Sequence, residues 1–221
     1  MRTSYHEELD SILDRLVHMA EMVETAISES SESLLTADLE RAEAVISNDV
    51  ELDKMHEEME YKCLSLLALQ APVAGELRII VSAIRVVFEL ARMGDLAAHV
   101  AKIARLRYPA NAVPDQFTES FREMAAIALE IVTLARRSLQ DRDALGAHRL
   151  VEIDERMDVL RREQFTAMLA EGTDISIEGA VDVALLGRYF ERFADHAVAV
   201  GRRVIYIITG DVPEGEDWPN A

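Results

Sequence analysis

The apolar residues of this chain recur for long stretches at alternating steps of three and four. Val183, Leu186, Phe190, Phe193, Ala197, Val200, Val204 and Ile207 keep that spacing without a break. Only an α-helix gathers such positions into one stripe, and the stripe must then be covered by other helices. Leu9, Leu13, Leu16, Ala20, Val23 and Ile27 repeat the pattern near the N-terminus. Chain breakers are scarce, with nine Gly and five Pro in 221 residues, fewer than a set of strands joined by turns would need. The fold class is predicted as all-α.

Six long helices follow from the pattern: 4–35, 38–71, 76–108, 115–139, 144–170 and 176–209. Asp38 and Ser176 are placed as N-caps. Pro72 and Pro109 stop the second and third helices, and Gly172 is placed as the C-terminal cap of the fifth. The stretch 111–114 reads as a polar linker dividing the chain into near-equal halves. Residues 1–109 and 115–210 then form two tandem antiparallel three-helix bundles, and 211–221 is read as a loose acidic tail.

Charge narrows the function. With 41 acidic against 23 basic residues the formal charge is −18, which disfavours sequence-independent binding to a polyanion such as nucleic acid. The one cysteine, Cys63, cannot form an intramolecular disulfide and fits a reducing compartment. It lies on an apolar seam, as a packing residue would. The first ten residues lack the apolar core of a secretory signal. No run approaches the ~18 apolar residues of a spanning helix. A cytoplasmic protein, held at a membrane only through partners, is expected.

The two halves carry similar features in the same order, which points to internal duplication. The second helix of each half bears an acid pair, Asp49 with Asp53 and Asp154 with Asp158. The third bears Arg-x-x-Asp, as Arg92 with Asp95 and Arg192 with Asp195; Glu191 precedes Asp195 by four residues. Carboxylates at i and i+4 share a helix face and can share an oxygen-preferring cation. The spacing alone is weak evidence, because Asp10/Asp14 and Glu119/Glu123 have it without a matching copy. Asp49 and His56 are more informative, since both fall on the seam of the second helix, where a lone polar group is costly. Arg92 and Arg192 either form plain intrahelical ion pairs or hold the carboxylates in place. Arg78 and Arg85 read as surface charges, while Arg188 is either a surface charge or holds the carboxylates in place.

The enzyme alternative is a carboxylate-bridged helical metalloenzyme. No histidine has the Glu three residues earlier that di-iron bundles use. There is no Gly-rich phosphate loop and no Gly-x-Ser-x-Gly. The chain is read as a non-enzyme.

One segment is more specific. Phe190-Glu191-Arg192-Phe193-Ala194-Asp195-His196-Ala197 resembles the Leu-Glu-Arg-Ile-Gly-Asp-His-Ala signature of the PhoU family. The turn at 71–78, Ala-Pro-Val-Ala-Gly-Glu-Leu-Arg, and the last helix at 204–210 also resemble that family. The resemblance implies a negative regulator of phosphate uptake and of phosphate-starvation genes. It implies contact with the ATPase of a phosphate ABC importer and with a membrane sensor histidine kinase, and a homodimer. It further implies metal, iron or zinc, on Asp49, Asp53, Asp95, Asp154, Asp158, Glu191 and Asp195. Arg92, Arg192, His56 and His196 would support these ligands or touch a partner. Ala91 and Leu96 stand where the family usually has Glu and His, so the first motif is expected to bind metal more weakly or not at all.

Overall fold

The computed structural model describes residues 2–211, with side chains from Glu7 onward. Six helices fill it: α1 (Arg2–Thr36), α2 (Leu39–Gln70), α3 (Ala74–Arg107), α4 (Thr118–Asp141), α5 (Ala144–Leu169) and α6 (Ile177–Thr209). No strand occurs among the described residues. The acidic tail predicted for 211–221 lies outside them, apart from Asp211, which is exposed.

The apolar stripes form one continuous core through both bundles. On α6 the residues from Val183 to Val204 are buried as spaced, with Ile207 partly exposed. On α1 the buried face is wider than the seam predicted. Ile12 and Met19 are fully buried while Leu13 is only partly so, because α1 is covered by α2, α3 and α4 at once. Cys63 is fully buried, and burial pushes its thiol up to about 11. It is a packing residue with little thiolate at neutral pH.

Asp38 accepts from the Arg41 amide and Ser176 from the Gly179 amide, as N-caps do. Asp143 caps α5 through the Leu145 amide, a third cap the sequence reading missed. Gly172 is not the cap of α5. The helix ends at Leu169 with Ala170 extended, and Gly172, at φ +85°, supplies the left-handed step of the turn that follows. The linker also departs from expectation. Ala112 and Val113 are buried with Phe117, so a short apolar anchor and a 3₁₀ turn at Asp115–Phe117 tie it to the core.

Helices α1, α2 and α3 pack together, as do α4, α5 and α6, and the bundles meet through α1 on α4 and α3 on α6. Both meetings are antiparallel. Asp10 pairs with Arg142 and Glu24 with Arg136. On the other seam Arg107 pairs with Asp182, His99 stacks on Tyr189, and Glu89 pairs with His196. The two repeats are therefore related by a pseudo-twofold axis across the helices, with α2 and α5 on the outside. Close approach of α5 to α6 requires Gly201, where a Cβ would lie 2.5 Å from Leu150 Cδ1 and 3.1 Å from the Ala147 carbonyl oxygen. No described helix is long and apolar enough to cross a membrane.

Candidate functional site

Each outer helix brings its acid pair against the third helix of its own bundle. In the first repeat Asp49 is half-buried beside Gly94, whose missing Cβ leaves room 3.6 Å from Asp49 Oδ1. Burial raises the Asp49 pKa, and the nearby charges of Asp95 and Asp53 raise it further; Lys102 and His99 offset part of this. Asp95 is held by Arg92 at 2.9 Å, the plain intrahelical ion pair. His56 is half-buried on α2, and Asp53 is exposed.

The second repeat is more heavily charged. Burial, then Asp195, Asp158 and Glu191, push the Asp154 carboxyl from 3.8 to about 6. Its Oδ1 is buried with no hydrogen-bond partner. Asp195 is raised in the same way, first by burial and then by Glu191. Glu191 is clamped: Arg188 donates to its Oε2 at 2.6 Å, and Arg161 Nε lies 2.7 Å from the same oxygen. The Arg161 contact is an ion pair whose angle does not make a hydrogen bond. Arg188 thus belongs to the site, as the second of its two sequence readings had it. Arg192, offered as the partner of Asp195, is exposed, and the basic side chains that act on Asp195 are Arg188 and, more weakly, His196.

The clamp has no copy in the first repeat. Aligned on the acid pairs, Arg161, Arg188 and Glu191 correspond to His56, Phe88 and Ala91. The loss of the carboxylate at Ala91 thus comes with the loss of both cations that would neutralise it. His196 makes its direct contact outside its own cluster. Its Nδ1 lies 2.6 Å from Glu89 of the first repeat, partly buried in the α3–α6 seam. Arg78, read as a surface charge, sits partly buried with its guanidinium over the Tyr206 ring at 5.9 Å.

The ligand types suit a hard divalent cation, and the orphaned Asp154 Oδ1 among like charges is what such an ion would satisfy. Against this, Glu191 is already neutralised by arginine. Among the described residues no three His, Cys, Asp or Glu side chains are drawn together closely enough to hold a metal ion.

Asp154 has a consequence for stability. A carboxyl whose folded pKa of about 6 exceeds its usual 3.8 favours the folded state while protonated. That contribution is complete below pH 3.8 and is lost as pH rises through 6. Asp154→Asn is therefore expected to stabilise the protein at pH 7.5 by about 1 kcal/mol, after discounting for solvent screening. The gain reads as a rise in Tm of about 2–4 °C, vanishing near pH 4. An equal Tm for both proteins at pH 7.5 would refute it.

Two antiparallel three-helix repeats packed across a pseudo-twofold, with acid clusters on their outer faces, define a tandem helical-repeat protein whose polar chemistry lies in surface clusters. The PhoU domain profile matches residues 16–104 and 121–204, one match in each bundle. The chain belongs to the PhoU family. It is 45% identical, over 96% of its length and all of the relative's, to the phosphate-specific transport system accessory protein PhoU homolog 2 of Mycobacterium tuberculosis. It is 42% identical, over the full length of both chains, to PhoU homolog 1 of Mycobacterium leprae. Among solved structures, PhoU from Pseudomonas aeruginosa superposes with a TM-score of 0.86 at 26% identity, covering 94% of this chain and 100% of that one.

Proposed function

We propose that this chain is an accessory regulator of a phosphate-specific transport system, restraining phosphate uptake and starvation-gene expression when phosphate is plentiful. It acts as a cytoplasmic, non-enzymatic homodimer through stoichiometric contact with the importer's ATPase and with a membrane sensor histidine kinase. The observation that carries this reading is the match, over essentially the whole chain, to relatives named as accessory proteins of such a system. The strongly acidic surface supports it, because complementary charge speeds and selects protein partners. Deleting the gene and following a phosphate-starvation reporter in high phosphate tests it. Expression is expected to become constitutive, and intact repression would defeat the reading.

A divalent cation is proposed as an auxiliary of the second repeat, one that would have to draw Asp154, Asp158 and Asp195 closer together than they stand without it. Glu191 joins only where Arg161 and Arg188 release it. The cation supplies positive charge to a cluster that repels itself. Added divalent cation is then expected to raise the Tm of the wild type and not of the Asp154→Asn protein. Equal responses would remove the metal role and leave the regulator standing.

A further inference from the structure

The two ends of the α3–α6 seam correspond under the pseudo-twofold, but their charges do not match. At one end Arg107 of α3 grips two carboxylates of α6, Asp182 and Glu178. At the other end Ser82 and Arg78 of α3 stand in the places of those two acids, and Ile207 stands in the place of Arg107. Cations are nevertheless gathered there from both helices. The Glu89–His196 contact fixes the register. Arg85 comes one turn back along α3 and Arg203 two turns on along α6. In an antiparallel seam both therefore lie toward Arg78 and Gly210.

Arg203 is only 8% exposed. Burial lowers its pKa, and the like charge of Arg85 lowers it further; Glu89 and Tyr206 offset part of this. The Glu89 carboxylate is already shared with His196 at 2.6 Å. Arg78 completes the row. Its guanidinium lies over the Tyr206 ring, and its Nε is buried with no hydrogen-bond partner among the described residues. Ser82, one turn on, is 1% exposed, and its Oγ likewise has none. Three arginines thus stand in a row in a chain of formal charge −18. Like charges brought together and partly buried call for a counter-charge.

The chain itself brings carboxylates to this place. Helix α6 ends at Gly210, whose φ of +84° turns the backbone out of the helix. A Cβ on Gly210 would lie 2.6 Å from Arg78 Nη1, so the chain leaves the helix at the edge of the row. The sequence that follows carries Asp211, Glu214, Glu216 and Asp217, and no base occurs from there to Ala221. Arg203 lies seven residues back from Gly210, about 10 Å along the helix. Seven residues of extended chain span up to about 23 Å, enough to reach the whole row.

We infer that Arg78, Arg85 and Arg203 form a carboxylate-binding site, and that its occupant is the chain's own acidic segment 211–217. The segment does at this end of the seam what Asp182 and Glu178 do at the other. Held there, it withholds the arginines from acidic partners, and such a partner has to displace it. The site goes beyond the regulator reading and stands without it.

Trp218 directly follows the segment and is the one tryptophan of the chain, so tryptophan fluorescence reports on the segment alone. Acrylamide quenching is measured on the full chain. Neutralising the segment, as Glu214→Gln with Glu216→Gln and Asp217→Asn, is expected to speed quenching by at least about twofold. Arg85→Gln should do the same. Arg149→Gln, at an exposed cation of α5, should leave quenching unchanged. Circular dichroism checks that the helices persist, and the segment variant alters none of them. Equal quenching in the wild type and the segment variant overturns the proposal, as does an Arg149→Gln effect equal to that of Arg85→Gln. A labelled synthetic peptide of Glu and Gly is expected to bind the segment variant more tightly than the wild type. Equal binding to both, lost in Arg85→Gln, would assign the site to an acidic partner and overturn the intramolecular occupant.

Discussion

Arg107→Ala is expected to lower the Tm by roughly 6–15 °C, among the largest effects of any single polar substitution in the molecule. Asp182 is only 3% exposed. Arg107 meets it with two contacts, Nε to Oδ2 at 2.6 Å and Nη2 to Oδ1 at 3.1 Å, and also reaches Glu178. Forked, bidentate pairing of this kind is what arginine provides and lysine does not. Removing the guanidinium strands a buried carboxylate at the junction of the two bundles. The loss comes from that stranded charge more than from the lost attraction. Arg107→Met with Asp182→Leu should therefore recover most of the Tm, whereas Arg107→Lys should recover only part. Thermal unfolding followed by circular dichroism separates the three. An Arg107→Ala protein as stable as the wild type would show that the pair does not hold the bundles together.

The second large effect is expected in the core of the second repeat. Phe190 is fully buried on α6 and lies against Phe121 of α4, with ring centroids 6.1 Å apart and planes tilted by 49°. Phe190→Ala removes the ring and leaves a cavity between helices whose other contacts prevent collapse. A loss of about 3–5 kcal/mol follows, read as a lower urea midpoint with an unchanged slope. A loss below about 1 kcal/mol would mean that the α4–α6 contact closes over the gap.

The helices were legible because each needs only its own neighbours. Three-and-four spacing marks the stripe, Asp38 and Ser176 mark two starts, and Pro72 and Pro109 mark two ends. The acid pairs were legible for the same reason, since i and i+4 share a face whatever the fold. What stayed hidden depends on register between distant segments. Arg107 and Asp182 are 75 residues apart, and His196 finds Glu89 rather than its adjacent aspartate. Arg161 finds Glu191 only because α5 crosses α6 at that height.

Arg188 and Arg192 show the limit well. Each stands three residues before an acid. Glu191 is shielded by α5, where ion pairing competes well with water, and Asp195 is exposed, where it does not. Gly172 failed differently: a glycine just past a helix signals a left-handed step without saying whether the helix or the following turn uses it.

The antiparallel seam between α3 and α6 makes each repeat choose its mate. Two copies of the first repeat, joined in the same way, would set Arg107 against Arg78 and Ser82, cation facing cation. Two copies of the second would set Asp182 and Glu178 against Ile207, leaving a buried carboxylate with no cation. Only the mixed pairing matches Arg107 to Asp182. Either half expressed alone would thus lack a compatible copy of itself, and the two expressed as separate chains would sort into one-to-one complexes.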